Sequence, residues 1–217
     1  MISFAVKMKT TQGVMRKLFT AALLMVAAVA VAQDGQQIAV SDSVARPVFR
    51  EISRPTPNFD ADKVNEVRGV VLHHTAEPTA ERSVEILTSP ARKVSSHVVI
   101  DTDGTRYVLA QPTTVAYHAG YSTLGGRDAC NEFTIGIEFQ GNTLVEPLTD
   151  LQIESAIEYL LPIIRKYDIP EENIVTHEAV RNNYKRKYPY KKISGKVDIT
   201  PAEYERFMER LRKIAFR

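Results

Sequence analysis

Gly69-Val70-Val71-Leu72-His73-His74-Thr75-Ala76 is a short aliphatic run with a glycine in front and two adjacent histidines at its end. β-Branched and aliphatic residues bounded by turn formers suit a strand covered on both faces, although periodicity alone leaves a short buried helix open. His73 then falls where strand becomes loop. Sheets packed between helices place their chemistry at such strand ends, because the sheet fixes the origin of a side chain while loops enclose the ligand. A lone histidine there is more often structural than functional, so the rest of the chain must supply its partners.

Downstream, Thr79 to Leu87 reads as a short helix ended by Ser89-Pro90. A hairpin follows: Ser96 to Ile100 and Thr105 to Leu109 flank Asp101-Thr102-Asp103-Gly104, whose glycine supplies the positive φ of the turn. After the loop Ala116-Tyr117-His118-Ala119-Gly120 comes a strand, Phe133 to Phe139. Its alternation sets Phe133, Ile135, Ile137 and Phe139 on one side and Thr134, Gly136 and Glu138 on the other. A long helix starts at Thr149, which forms a capping box with Gln152, and is expected to kink at Pro162. Glu172 to His177 reads as a second short strand ending in histidine. A last helix opens with Thr200-Pro201-Ala202-Glu203, a second capping box. The expected fold is α/β: one domain with a central mixed sheet flanked by helices and chemistry at the strand ends.

Upstream, Met15-Arg16-Lys17 introduces an almost wholly apolar stretch, Leu18 to Ala32, with Ala30-Val31-Ala32 as a small-x-small cleavage site. That pattern is a secretory signal peptide, cleaved after Ala32; an uncleaved anchor is the alternative. Residues 1–14 precede a complete signal, which points to a misassigned start. The apolar core is too short and alanine-rich for a confident membrane span, and no cysteine marks a lipoprotein anchor. No stable membrane insertion is expected once the signal is gone, and a periplasmic or extracellular location in a bacterium follows. Residues 33–62, with Pro47, Pro55 and Pro57, read as an extended leader strapped over a domain spanning residues 63–217. Charged residues make up 25% of the chain with a formal net charge of only +2, so nothing points to nucleic acid. The single cysteine, Cys130, rules out an internal disulfide framework. Oligomeric state leaves no mark in the sequence.

Two histidines at strand ends, a carboxylate on a glycine-lined side, and Lys196-Val197-Asp198 ahead of the last helix make a plausible hydrolytic zinc site. A catalytic zinc takes three protein ligands and keeps its fourth position open, lowering the pKa of water there to about 7. A nearby carboxylate can take the proton from that water, and a lysine can stabilise the developing oxyanion. Ligands this dispersed lack the specificity of a single compact motif.

Val71-Leu72-His73-His74-Thr75-Ala76, Asp103-Gly104-Thr105, Tyr117-His118-Ala119-Gly120, Cys130 to Glu138 and Thr176-His177-Glu178, taken in that order, resemble the type 2 N-acetylmuramoyl-L-alanine amidases. These belong to the superfamily of peptidoglycan recognition proteins and phage lysozyme-type amidases. The likeness runs from about Arg68 to Arg212, and Gly125 to Glu138 most resembles the branch that recycles anhydro-muropeptides. It implies Zn2+ held by His73, His177 and Asp198, with Glu138 as general base and Lys196 as electrostatic stabiliser. It also implies peptidoglycan or muropeptides as substrate, with Tyr117, His118 and Asn131 bordering the substrate groove and His74 either facing the substrate or backing the ligands, an exposed neighbour being the alternative for His74. Some superfamily members keep the groove without zinc and only bind peptidoglycan, which is the alternative function.

The sequence departs from that pattern in three places. Ser96 stands where many members carry a tyrosine that assists the water. Arg181 to Lys192 is a basic, tyrosine-rich insertion between His177 and Asp198, read either as a solvated loop or as a wall meeting acidic stem peptides or glycan. Two arginines that hold peptide in the recycling enzymes are replaced near Thr102 and Ala129, which weakens the implied preference for anhydro-sugars. His97 and Cys130 read as buried structural residues.

Overall fold

A computed structural model describes residues 48–193, 195 and 198–216. The signal sequence, the start of the leader and Lys196 lie outside the described residues. Ten strands and four helices follow one another in this order: β1 (Glu51–Ser53), β2 (Phe59–Val64), β3 (Gly69–His74), α1 (Ala80–Thr88), β4 (Val98–Ile100), β5 (Arg106–Val108), β6 (Thr114–Ala116), β7 (Thr123–Leu124), β8 (Arg127–Asp128), β9 (Thr134–Phe139), α2 (Asp150–Tyr167), β10 (Ile174–Thr176), α3 (His177–Lys187) and α4 (Pro201–Ala215).

Six strands form the central sheet in the order β1-β5-β4-β9-β3-β10. Only β4 and β5 run antiparallel, as the hairpin requires; the other neighbours are parallel, so the sheet is mixed. The hairpin turn closes through Gly104 at φ +85°, where a Cβ would meet the Phe49 ring at 2.6 Å. β2 and β6 pair separately, as do β7 and β8. Because β1 joins the edge of the main sheet, the sheet begins inside the stretch expected to be a surface leader. Backbone bonds hold it there: Arg106 N–H donates to the Arg50 carbonyl and Arg54 N–H to the Val108 carbonyl, both at 2.8 Å.

Strands β3 and β9 are adjacent interior strands of the sheet and every residue in both is buried. One face packs Val70, Leu72, Ile135, Ile137 and Phe139 against α2 and α4, including Ile153, Leu160, Phe207 and Leu211. Full burial of such a side chain stabilises the fold by roughly 1.5–3 kcal/mol. α2 begins with the expected capping box, Thr149 Oγ1 accepting from Gln152 N–H while Gln152 Oε1 accepts from Thr149 N–H, both at 3.0 Å. The helix is continuous through Pro162.

The opposite face carries two smaller apolar clusters. Ala80, Val84 and Leu87 of α1 pack with Val99 and Tyr107, while Val180 of α3 packs with Val71, Leu124, Cys130 and Phe133. Phe133 therefore belongs to this second face and not with Ile135. It precedes β9 in a turn with φ −148° and ψ 15°, so strand alternation does not reach it.

Two other local expectations change. Much of the stretch read as a possible solvated loop after His177 is helix: α3 is capped by Thr176, whose Oγ1 accepts from Ala179 N–H at 3.2 Å, and it buries Val180, Arg181 and Tyr184. At α4 the second capping box does not form. Glu203 instead accepts from Leu148 N–H at 2.9 Å and pairs with Arg206 at 3.0 Å, leaving Thr200 as a cap without a side-chain bond.

Candidate metal centre and active-site cleft

β3 delivers His73 to its C-terminal end on the face away from α2 and α4. Glu138 lies directly beside it, because the parallel register of β3 and β9 pairs His73 with Glu138. His177 is the first residue of α3, placed by β10 running parallel to β3. Asp198 arrives from the segment before α4 and is fully buried. One ligand atom from each of His73, His177 and Asp198 lies within 4.8 Å of the others. The two His–Asp contacts are His73 Nδ1 to Asp198 Oδ1 at 3.8 Å and His177 Nδ1 to Asp198 Oδ2 at 2.8 Å. The insertion preceding Asp198 does not displace it: the His74 backbone N–H also donates to Asp198 Oδ1, at 3.3 Å.

Hydrogen bonding fixes the tautomer of His73. Thr134 Oγ1 donates to the Cys130 carbonyl at 2.7 Å, so toward His118 Nε2, 3.4 Å away, it is an acceptor and Nε2 carries the proton. His118 Nε2 reaches the Thr134 carbonyl at 3.4 Å as well. Burial, reinforced by the imidazoles of His97 and His177, pushes His118 well below the usual histidine range, so the ring is neutral. Its Nδ1 must then accept, and the donor is His73 Nε2–H at 3.3 Å. That leaves the lone pair of His73 on Nδ1, the atom facing Asp198. A ligand histidine held through its other ring nitrogen is the usual second layer of a metal site. His118, expected to touch substrate, is thus also a positioning residue for His73.

The layer beneath is equally ordered. Gly136 has no room for a side chain, since a Cβ would meet His118 Cγ at 2.6 Å. Gly136 N–H donates to His97 Nδ1 at 2.9 Å, and His97 Nε2–H donates to the Thr114 carbonyl at 3.0 Å. His97 is structural, as expected, and burial pushes its pKa down to about 4.

The cleft between α1 and α3 has a volume of about 590 Å³ and is lined by His73, Glu138, His177, Tyr117, His118 and Asn131, among others. Asn131 Oδ1 accepts from the backbone N–H groups of His118 at 3.1 Å and Ala119 at 2.7 Å, so it also shapes the loop that carries His118. Tyr117 N–H donates to Ser95 Oγ at 2.7 Å. His74 differs from the expectation of substrate contact. It is buried, does not line the cleft, and its Nδ1 accepts from Thr143 N–H at 3.1 Å, tying the end of β3 to the loop after β9. Ser96 is buried and donates to the Val98 carbonyl at 3.2 Å. Cys130 is buried, its thiol pushed up to about 11 by burial. Arg181 was not singled out from the sequence, yet it lines the cleft one helical turn beyond His177.

A family model described as N-acetylmuramoyl-L-alanine amidase matches residues 63–191, ending before Asp198. The 1,6-anhydro-N-acetylmuramyl-L-alanine amidase AmpD of Haemophilus influenzae is 40% identical over 88 residues, 39% of this chain and 46% of that protein. The AmpD of Enterobacter cloacae is 40% identical over 65 residues, covering 30% and 34%. The chain thus matches less than half the length of these curated relatives. Among solved structures, a selenomethionine derivative of AmpD superposes with a TM-score of 0.54 at 24% identity, covering 73% of this chain and 93% of the other. A mutant endolysin from Bacillus subtilis gives 0.54 at 19% identity, covering 76% and 99%. These two likenesses establish a shared fold, and the family match extends over more than half of the sequence: the chain belongs to the N-acetylmuramoyl-L-alanine amidase family.

Proposed function

We propose that the chain is an exported zinc amidase that hydrolyses the amide between N-acetylmuramic acid and L-alanine in peptidoglycan or its fragments. The observation that carries this reading is the meeting of His73, His177 and Asp198 at the cleft, with Glu138 in the adjacent strand. Two imidazole nitrogens and one carboxylate oxygen suit zinc, and a cleft beside a three-ligand set leaves space for a reacting group. Zinc held there would supply Lewis acidity toward water and a carbonyl oxygen. A purely binding module has no need of three converging donors with a fixed imidazole tautomer behind them.

The protein groups divide the remaining work. Glu138 takes a proton from the attacking water and later delivers it to the leaving L-alanine nitrogen. His118 holds the His73 ring so that its Nδ1 lone pair stays directed at the ligand set. Tyr117 and Asn131 line the cleft where the substrate must lie, and burial of Glu138, only 7% exposed, limits competition from bulk water. The family resemblance adds Lys196 as a cation for the developing oxyanion. The relatives' names favour anhydro-muropeptides, while the substitutions near Thr102 and Ala129 favour a broader range. Export rests on the signal pattern of residues 15–32; among the described residues no helix is long and apolar enough to cross a membrane.

The test is mass spectrometry of muropeptide digests with the native chain and Glu138→Gln. Native protein should release stem peptides beginning with L-alanine. The variant should retain stoichiometric zinc and lose roughly 10²–10⁴-fold in turnover, the usual weight of a general acid–base group. Near-native turnover in Glu138→Gln would remove that residue from its role. A zinc-loaded native chain that releases no such peptide would overturn the amidase reading itself.

A further inference from the structure

The α3 wall of the cleft continues into a segment that the proposed reaction does not use. Between Arg181 and Lys192 the sequence carries Arg181, Lys185, Arg186, Lys187, Lys191 and Lys192, and no acidic residue. Two of these cations are balanced locally, Arg181 by Glu178 at 3.3 Å and Lys187 by Asp128 at 3.0 Å. Among the described residues no carboxylate pairs with Lys185, Lys191 or Lys192. Those three lysines, with Pro189 and Ile193, line a second pocket of about 490 Å³. Ile193 also lines the catalytic cleft, so the two concavities share a wall.

Lysines on a surface are ordinarily just solvated, but Lys191 is held in place. Its Nζ donates to the Tyr184 hydroxyl at 3.0 Å and lies 5.5, 5.6 and 5.3 Å from the ring centroids of Tyr121, Tyr184 and Tyr188. Tyr184 is buried in α3, and Tyr188 is anchored by donating to Asp128 at 2.7 Å. Tyr121 completes the set from across the cleft rim, where it is 61% exposed. Ring faces stabilise an ammonium, and the hydroxyl of Tyr184 keeps Lys191 protonated above its ordinary range. Fixing a lysine costs side-chain entropy that a solvated lysine does not lose.

We propose that this pocket is a subsite for carboxylates of murein stem peptides lying beyond the peptide whose amide occupies the cleft, fitting the chain to the polymer as well as to single soluble fragments. The identity of the polymer rests on the amidase reading above. Ammonium groups are compact charges with rotatable donors, so they accept carboxylates from the varied directions that a heterogeneous polymer presents. Unbalanced positive charge beside the cleft also steers an acidic polymer toward it.

The experiment is co-sedimentation of the full chain with purified sacculi, beside hydrolysis of a soluble muropeptide. Replacing Lys185, Lys191 and Lys192 together by Gln should weaken sacculus binding about tenfold at low salt, the sum of three modest exposed ion pairs. The gap should narrow as salt is raised. Soluble-muropeptide turnover should stay within about twofold, since none of the three lines the cleft. Native protein should lose a similar factor on sacculi whose carboxyls have been converted to amides. A Lys185→Gln, Lys192→Gln variant keeps Lys191 among its tyrosines and should show an intermediate loss with unchanged thermal stability. Native-like sedimentation of the triple variant would overturn the subsite, as would an equal loss on the soluble substrate. Full binding to amide-converted sacculi would overturn it too, by assigning the pocket to another anion such as phosphate. Sedimentation needs no turnover, so failure of the amidase reading would show separately.

Discussion

The two faces of the central sheet are made from alternate residues of the same strands, yet one is closed and the other is open. On the α2 and α4 side, Val70, Leu72, Ile135, Ile137 and Phe139 form a continuous apolar layer. On the other side two apolar clusters stand apart, and between α1 and α3 lies the cleft, lined by His73 and Glu138. A one-residue slip of β3 or β9 would exchange the two sets. The apolar layer therefore fixes the register that aims His73 and Glu138 into the cleft, and the geometry of the candidate site is set largely by packing on the opposite face.

The largest test of that division compares neighbours. Ile137→Ala should cost about 4 kcal/mol of unfolding free energy, within the 2–5 kcal/mol usual for such a truncation, because Ile137 is fully buried among helix side chains. Turnover per folded molecule and zinc content should stay within a few-fold of native. Glu138→Gln, one residue on, should do the reverse. Denaturant titrations and single-turnover assays on both variants decide it: loss of turnover in folded Ile137→Ala protein would mean that the faces are not separable.

The same division explains what could be read from the sequence. β3, β9, α1, α2 and the β4–β5 hairpin were legible because runs of apolar residues, a reciprocal cap and a turn glycine each act locally. His73, Glu138, His177 and Asp198 were legible as the parts of a plausible zinc site, but which of them act as ligands came only from resemblance, since no spacing rule links positions so far apart. β1 was hidden because it is short, carries two exposed residues and, beyond its backbone bonds, adds only the partly buried Ile52 to the apolar packing. α3 was hidden because its stretch is dense in charge, although Thr176 ahead of Ala179, with Val180 and Tyr184 on one side, was a usable helix signal. His74 and His118 could not be sorted from sequence. Adjacent strand residues face opposite ways, so His74 turns to Thr143, and only the three-dimensional chain from Thr134 to His73 reveals that His118 positions the His73 ring.

Acid should separate the faces next. The imidazoles of His73, His118 and His97 lie together on the cleft side, whereas on the helix side, among the described residues, the one imidazole is that of buried His74 at the end of β3. Burial holds His97 at about 4 in the folded protein, against an ordinary value near 6.5 in the unfolded chain. Between those values the unfolded chain takes up a proton that the folded chain refuses, so stability present above pH 6.5 is lost as pH falls toward 4. For this one residue the loss is about 3 kcal/mol. His97→Gln, which can still accept from Gly136 and donate to Thr114, should show a shallower fall over the same window. Denaturant midpoints at pH 7, 5.5 and 4 measure it; an equally steep fall in the variant would place the acid sensitivity elsewhere.

The smallest effect should come from adding one methyl group at the boundary between structure and chemistry. In Gly136→Ala the new Cβ would lie 2.6 Å from His118 Cγ and 2.8 Å from its Nδ1. Those are ring and near-backbone atoms, so the whole imidazole must move, at a cost of about 2 kcal/mol for overpacking. His118 cannot move without releasing His73 Nε2, because its Nδ1 is the acceptor that holds the His73 tautomer. Zinc affinity should therefore fall roughly 10–100-fold, the usual consequence of losing an outer partner of a ligand histidine. Competition with a chelator measures the affinity, and a thermal melt measures the strain. If stability falls while zinc affinity stays native, His118 is packing material and the His73 ring is fixed by other contacts; if both fall, the cleft face is a single hydrogen-bonded unit from the sheet floor to the metal ligands.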